Sequence, residues 1–325
     1  MSNCMSLQTI QEAINVKLGS SQGGRKVDSR RAKMKDIAAA LKRIPKLPRL
    51  CSRNAWFSTT QSDVIKADGE IMVQLFGIKI AEIVLDTTEP HPYYTFSPDE
   101  LVCKNIEWKD RGPWEWSHNK KHAEKINRFI EVCEKYPRAK SDNEREIQWQ
   151  LAQELKSDTK GPFKNLQPVT WNGRFTEIGV SITMHGNLGT GNIDLVVRRK
   201  RGFLVFELKK PGDSEIEDAL TQASRYAIAL NIEANEGGKE NLKNYRAVFG
   251  ARGDSELNIG AVAVLEDNEA VRKKAHEILP LFRGNTNNTR VDRIGVLLYK
   301  FDKNEGKVTS WEWLPKWDAR EPNLI

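Results

Sequence analysis

The chain has 325 residues, 39% of them hydrophobic and 29% charged, with a formal net charge of +7. This length suggests two domains with ample chain for a core in each, and the positive balance suits an anionic partner. No apolar run approaches a membrane span, and the opening Met-Ser-Asn-Cys-Met-Ser has no basic segment followed by an apolar one, so neither a membrane protein nor a signal peptide is expected and the protein reads as cytoplasmic.

In chain order, residues 5 to 19 read as a short helix with Leu7, Ile10, Ala13, Ile14 and Leu18 on one stripe. The Ser/Gly segment from Gly19 to Gly24 reads as a loop. A basic stretch from Arg25 to Arg53 follows, and Ser29 to Ile44 within it has the spacing of a helix with Ala32, Ile37, Ala40, Leu41 and Ile44 inward. Such a helix suits a phosphate backbone or a solvated arm equally. Ile71–Phe76 and Ile78–Leu85 read as strands around Gly77. Trp108, Trp114 and Trp116 stand among basic residues, a pattern that suits base stacking but more often means half-buried packing, the reading favoured here. A charged helix from His118 to Lys135 leads to Pro137, where the domain boundary is placed.

Beyond it the spacing predicts a helix over Glu144–Leu155 and a strand over Glu177–Met184. Two apolar runs, Ile193–Val197 and Phe203–Leu208, flank a polar turn and read as a hairpin. Next come a helix from Ser214 to about Asn231 opened by a capping box, a polar loop over Glu233–Asn244, and strands at Arg246–Gly250 and Ile259–Leu265. A helix over Asn268–Leu279 and a strand over Arg293–Phe301 follow, and Trp311, Trp313 and Trp317 are expected to pack on the sheet edge. Alternating helices and strands make this half α/β with a central mixed sheet. Cys4, Cys51, Cys103 and Cys133 have no paired spacing and form no zinc pattern with the five histidines, so reduced thiols are expected. There is no internal repeat and no phosphate-binding Gly-x-x-x-x-Gly-Lys-Ser/Thr loop.

The hairpin carries the chemistry. With Lys200-Arg201 as a two-residue turn, Arg199 pairs with Gly202 and Asp194 falls opposite Glu207; a three-residue loop would offset the pair by one. Glu207 and Lys209 are at i and i+2 and share a strand face. Two carboxylates and an ammonium in so apolar a hairpin do not help stability, and a divalent cation between the carboxylates resolves their repulsion. On the next helix Gln222 and Tyr226 are at i and i+4, on one face.

Gly-x-x-Asp, a hairpin and then Glu-x-Lys resembles the PD-(D/E)xK nuclease superfamily, with Asp194, Glu207 and Lys209 at the motif positions. Gln222-x-x-x-Tyr226 is similar to the motif of RecB-like nucleases, and Glu144-Arg145-Glu146-Ile147 resembles the first helix of archaeal Holliday-junction resolvases. The resemblance implies a restriction-endonuclease-like core at residues 141–317, with residues 1–136 as an N-terminal basic α+β domain for binding or specificity. It implies Mg²⁺, replaceable by Mn²⁺, held by Asp194, Glu207, the Leu208 carbonyl and Glu144, with Glu146 as the alternative to Glu144. Lys209, Gln222 and Tyr226 complete the catalytic set. The implied activity is DNA phosphodiester hydrolysis, with RNA left open, by an endonuclease of restriction or anti-phage type, and a homodimer if both strands of a palindrome are cut. The alternatives are a repair, recombination or transposition nuclease that needs a partner, and a non-cleaving nucleic-acid-binding protein on the same fold.

Overall fold

The computed structural model describes residues 6–42, 47, 49–52, 54–66, 70–86, 93–116, 120–135, 144–157, 161–171, 174–183, 185–199, 202–251, 253, 255–283 and 290–314. Helices α1 (Leu7–Gly19) and α2 (Ser21–Leu41) open the chain. Ser6 caps α1 by accepting the Thr9 N–H at 3.2 Å, and Leu7, Ile10, Ile14 and Leu18 are its buried stripe, while Ala13 is exposed. The Gly19–Gly24 segment is not the expected loop: the break is at Ser20, and Gly23 and Gly24 are helical. Gly23 permits the tight junction, since a Cβ there would lie 2.1 Å from the Lys17 carbonyl oxygen. Thus α2 starts at Ser21 rather than Ser29, and it buries Val27, Met34, Ile37, Ala38 and Ala40, with Ala32 exposed and Leu41 half-buried. Ile44 lies outside the described residues.

Next come β1 (Ala55–Ser58), α3 (Gln61–Lys66), β2 (Ile71–Leu75), β3 (Ile78–Asp86), β4 (Tyr93–Pro98), α4 (Glu100–Asn105), β5 (Trp114–Glu115) and α5 (Lys120–Lys135). They are followed by α6 (Glu144–Ser157), β6 (Gln167–Pro168), β7 (Arg174–Phe175), β8 (Ile178–Val180), β9 (Gly191–Ile193), β10 (Leu195–Arg199) and β11 (Gly202–Leu208). The chain continues through α7 (Ile216–Asn235), α8 (Gly238–Phe249), β12 (Asn258–Glu266), α9 (Glu269–Arg283), β13 (Ile294–Asp302) and β14 (Lys307–Leu314).

Several expectations change here. The Glu177–Met184 strand shrinks to β8, because the Ser181 N–H is taken by the Glu233 carboxylate at 2.6 Å instead of a neighbouring strand; Met184 lies outside the described residues. The capping box at Ser214 does not form: Glu215 is the N-cap without a side-chain bond, and its N–H goes to Asp213 at 3.0 Å. The expected loop over Glu233–Asn244 and strand over Arg246–Gly250 are the end of α7 and the helix α8. Tyr245, Val248 and Phe249 form the buried face of α8, and Asn241 turns its amide onto the Glu233 and Ala234 carbonyls at 2.7 and 2.8 Å, satisfying the end of α7. Trp311 and Trp313 sit within β14, which their apolar rings alone did not reveal as a strand, and Trp317 lies outside the described residues.

The chain divides into two compact units. One comprises residues 1–35, 140–169 and 177–325, and the other 36–139 and 170–176. The smaller unit contains a sheet of order β5-β4-β3-β2-β1-β7, in which β7 runs parallel to β1. Trp108, Trp114 and Trp116 pack there around Phe96 and Phe129, with ring centroids 5.5–6.0 Å apart for the contacts to those two rings. These tryptophans are core, as the packing reading expects. Cys51, Cys103 and Cys133 are free thiols.

The larger unit is a mixed α/β structure with a sheet of order β14-β13-β12-β11-β10-β6 flanked by helices. β11, β12 and β13 are parallel, joined through α7 with α8 and through α9, and the outer pairings are antiparallel. Along β11, Phe203 meets Phe249 of α8 while Phe206 meets Trp313 of β14 in the same sheet, so both faces of the strand are buried. Residues 7–35 were expected in the N-terminal domain, yet they belong to this unit. The apolar stripe of α1 packs on α7, and Arg31 donates to the Ile232 and Glu233 carbonyls at 3.0 Å each. Among the described residues no helix is long and apolar enough to cross a membrane.

Candidate active site

The hairpin pairs as the two-residue turn requires, from Arg199 with Gly202 to Leu195 with Phe206; the two turn residues lie outside the described residues. Asp194 stands at the bend between β9 and β10, one step past the last pair, beside Glu207. Its carboxylate accepts the Leu208 N–H at 2.8 Å, and its own carbonyl accepts the side-chain amide of Gln148 from α6. Glu207 is 3% exposed. Its Oε1 accepts Lys209 Nζ at 3.2 Å, and its Oε2 is buried with no hydrogen-bond partner among the described residues.

From Lys209 the chain of bonds continues onto α7. The ammonium donates to Gln222 Oε1 at 3.2 Å, and Gln222 Nε2 donates to the Tyr226 hydroxyl at 3.2 Å. Tyr299 of β13 donates to the Lys209 carbonyl at 2.8 Å and fixes the backbone there. Gly191, the first residue of the Gly-x-x-Asp motif, is where β9 passes Tyr226: a Cβ would lie 2.6 Å from the ring and 2.2 Å from the Ile182 carbonyl oxygen. Only glycine permits that approach.

The electrostatics follow from burial. The Glu207 carboxyl is pushed up to about 8 by desolvation, against the nearby Lys209 ammonium, with Glu144 and Asp218 adding. Asp194 is held well above the usual carboxylate range by desolvation, then by the charges of Glu207 and Glu144, while the Leu208 N–H opposes the rise. The two titrate as a pair. Desolvation works against the Lys209 ammonium, but Glu207, Asp218 and Glu144 together outweigh it and leave it above its ordinary value. The Tyr226 hydroxyl is pushed up to about 12 by burial and by Glu207, so it stays protonated. Glu144 is raised by desolvation, which Lys209 partly offsets.

Asp194, Glu207, Lys209, Gln222 and Tyr226 are therefore brought together, with Leu208 between the two motif residues. Glu144 is an exposed residue at the start of α6, and its charge bears on Asp194, Glu207 and Lys209; Glu146, the alternative, is buried. Four neighbours escaped the sequence reading: Gln148, Glu177, Asp218 and Tyr299. Two of them had a signal. Asp218 precedes Gln222 by four residues and Gln148 follows Glu144 by four, so each shares a helix face with a residue already chosen. Glu177 and Tyr299 reach the site only through the fold.

Comparison of the chain with known protein families, with curated proteins and with solved structures finds no match.

Among the described residues no group of three or more His, Cys, Asp or Glu side chains is gathered closely enough to hold a metal ion. A magnesium site does not need one, since Mg²⁺ keeps several waters and takes one or two carboxylates with the phosphates of a substrate. The partnerless Glu207 Oε2 beside a second strained carboxylate fits such an ion. Asp194 and Glu207 are the residues fit to hold it.

Proposed function

We propose that this chain is a metal-dependent nuclease of the PD-(D/E)xK type, hydrolysing DNA phosphodiester bonds on a restriction-endonuclease-like core. The observation that carries the reading is the Asp194–Glu207 pair with its partnerless Glu207 Oε2, tied through Lys209 to Gln222 and Tyr226. A structural role leaves this arrangement unexplained, because a buried oxygen without a partner costs about 1–3 kcal/mol or more.

Asp194, Glu207 and the Leu208 carbonyl would hold Mg²⁺, or Mn²⁺ in its place, with Glu144 at the open side. The ion supplies positive charge that neutralises the phosphate and makes water acidic. The protein's own work is positioning. Gln148 and the Leu208 N–H fix Asp194, and Gln222, itself set by Tyr226, fixes the Lys209 ammonium. Lys209 would then face the reacting phosphate, where it would orient the attacking water and offset the negative charge that develops on the phosphoryl oxygens. One P–O bond forms to the water oxygen, which gives up a proton to solvent, the P–O bond to the departing oxygen breaks, and that oxygen takes up a proton from solvent.

A restriction or anti-phage endonuclease is the role we assign, because a second compact unit offers a separate surface for choosing the substrate. The test is cleavage of plasmid and of linear single- and double-stranded DNA, with RNA alongside, in Mg²⁺, Mn²⁺ or EDTA. Metal-dependent cutting by wild type, lost in Asp194→Ala and Lys209→Ala, is the expected result. Absence of cutting on every substrate, with DNA still bound, assigns the chain instead to partner-activated nucleases or to binding proteins.

A further inference from the structure

The two strands that bring Asp194 and Glu207 together carry a second feature at their other end. A pocket of about 900 Å³ lies where β10 ends and β11 begins, walled by Arg198, Arg199 and Phe203 and by the end of α8 with the loop that follows it. Four residues separate Arg198 from Asp194, and four separate Phe203 from Glu207, roughly 13 Å at the rise of a strand. The parallel strands β11 and β12 start together at the pocket, with Gly202 beside Asn258, and run toward Glu207 and Leu208. The pocket and the candidate active site therefore occupy opposite ends of the sheet.

Charge distinguishes the pocket. The three segments that line it, residues 165–167, 198–203 and 246–258, contain six arginine and lysine residues and two acidic ones in sequence. Of these, Lys200, Arg201, Arg252 and Asp254 lie outside the described residues. The arginines have structural work as well. Arg198 ties the hairpin to the end of α8 by donating to the Gly250 carbonyl at 2.9 Å, and it donates also to Gln167 Oε1. Arg246 donates to the Gly253 carbonyl. The acceptors of Arg198 are neutral, so these bonds place its charge at the pocket without balancing it. Arg199 is paired with Asp292, yet its Nε is buried and has no hydrogen-bond partner among the described residues. Glu256 is the one acid among the described lining residues.

Guanidinium groups match a phosphate in charge and in fork geometry. Asn165, Ser255 and Asn258 add neutral donors and acceptors to the same wall. The volume falls within the range of small-molecule sites, about 300–1,000 Å³. We propose that this pocket binds a nucleotide-sized phosphate ester, with Arg198 and Arg199 as the phosphate contacts. The site is separate from the Asp194–Glu207 pair and stands without the nuclease reading.

The experiment is isothermal titration calorimetry on the full chain in EDTA, with pyrophosphate and each of the four ribonucleoside triphosphates as titrants. EDTA removes the ion that would otherwise carry a triphosphate to Asp194 and Glu207. At least one titrant should bind with a Kd below about 1 mM. Arg198→Gln should weaken that binding about 10-fold or more, because it removes a charge-assisted contact. Glu256→Gln removes the acid from the wall and should tighten binding about 2- to 5-fold. This second variant carries the test if unliganded Arg198→Gln melts well below wild type. Asp194→Ala should bind as wild type, and duplex DNA in excess should not displace the titrant. Absence of binding by every titrant overturns the proposal, as does affinity unchanged in both Arg198→Gln and Glu256→Gln. Binding lost in Asp194→Ala places the anion at the other end of the hairpin and also overturns it. Displacement by DNA assigns the pocket to a nucleic-acid strand and overturns the nucleotide assignment.

Discussion

Replacing Glu207 by Gln should stabilise the metal-free protein at pH 8 and change it little at pH 5. Burial lifts this carboxyl to about 8 in the folded chain from an ordinary 4.5. Between those values the folded state keeps a proton that the unfolded state has released. A raised acid of this kind loses stability as pH rises through the window. At about 1.4 kcal/mol for each pH unit, the loss from pH 5 to pH 8 is on the order of 3–4 kcal/mol. For a cooperative unit of about 200 residues this corresponds to roughly 10 °C in Tm. The amide carries no charge, and its oxygen still accepts from Lys209. The change at 207 also relieves Asp194, so the measured difference belongs to the pair. Thermal melts followed by near-ultraviolet circular dichroism in EDTA, at steps from pH 5 to pH 8, read it directly. The wild-type Tm should fall away from that of Glu207→Gln as pH rises, and added Mg²⁺ should close the gap by stabilising the wild type alone. Parallel Tm profiles for the two proteins would refute the claim that this carboxylate is buried under strain.

Two further outcomes are expected. Gly191→Ala places a methyl against the Tyr226 ring and the Ile182 carbonyl, and should cost about 2–3 kcal/mol in urea unfolding; a change below about 0.5 kcal/mol contradicts the close approach. Gln148→Ala removes the side-chain bond to the Asp194 carbonyl and should lower kcat about 10-fold with KM little changed, since misplacement of a catalytic group by a fraction of an ångström is that costly. A rise in KM at constant kcat means that Gln148 acts on binding rather than on Asp194.

The site was legible where its geometry is local. Asp194 and Glu207 meet because a two-residue turn sets the hairpin register, and period-two alternation then puts Lys209 on the face of Glu207. Gln222 and Tyr226 bond to each other because four residues make about one helical turn. Elsewhere local signals misled. Lys239, Glu240, Asn241, Lys243 and Asn244 made α8 look like a loop, although Tyr245, Val248 and Phe249 form a helical face once α7 supplies the surface to cover. The capping box at Ser214 does not form because the helix begins two residues later, at Ile216, with the Glu215 N–H bonded to Asp213.

By itself, then, the sequence determined which residues share a strand or helix face, and so the Asp194–Glu207 hairpin and the Gln–Tyr pair, because backbone geometry imposes those periods on neighbours. Only the tertiary structure decided that α1 joins the larger unit, that Gln148 holds Asp194, that Tyr299 holds Lys209, and that Arg198 meets Gly250 at the pocket. Those contacts join residues far apart in the chain. They are set by which apolar faces bury against each other, and no spacing along the sequence encodes that choice.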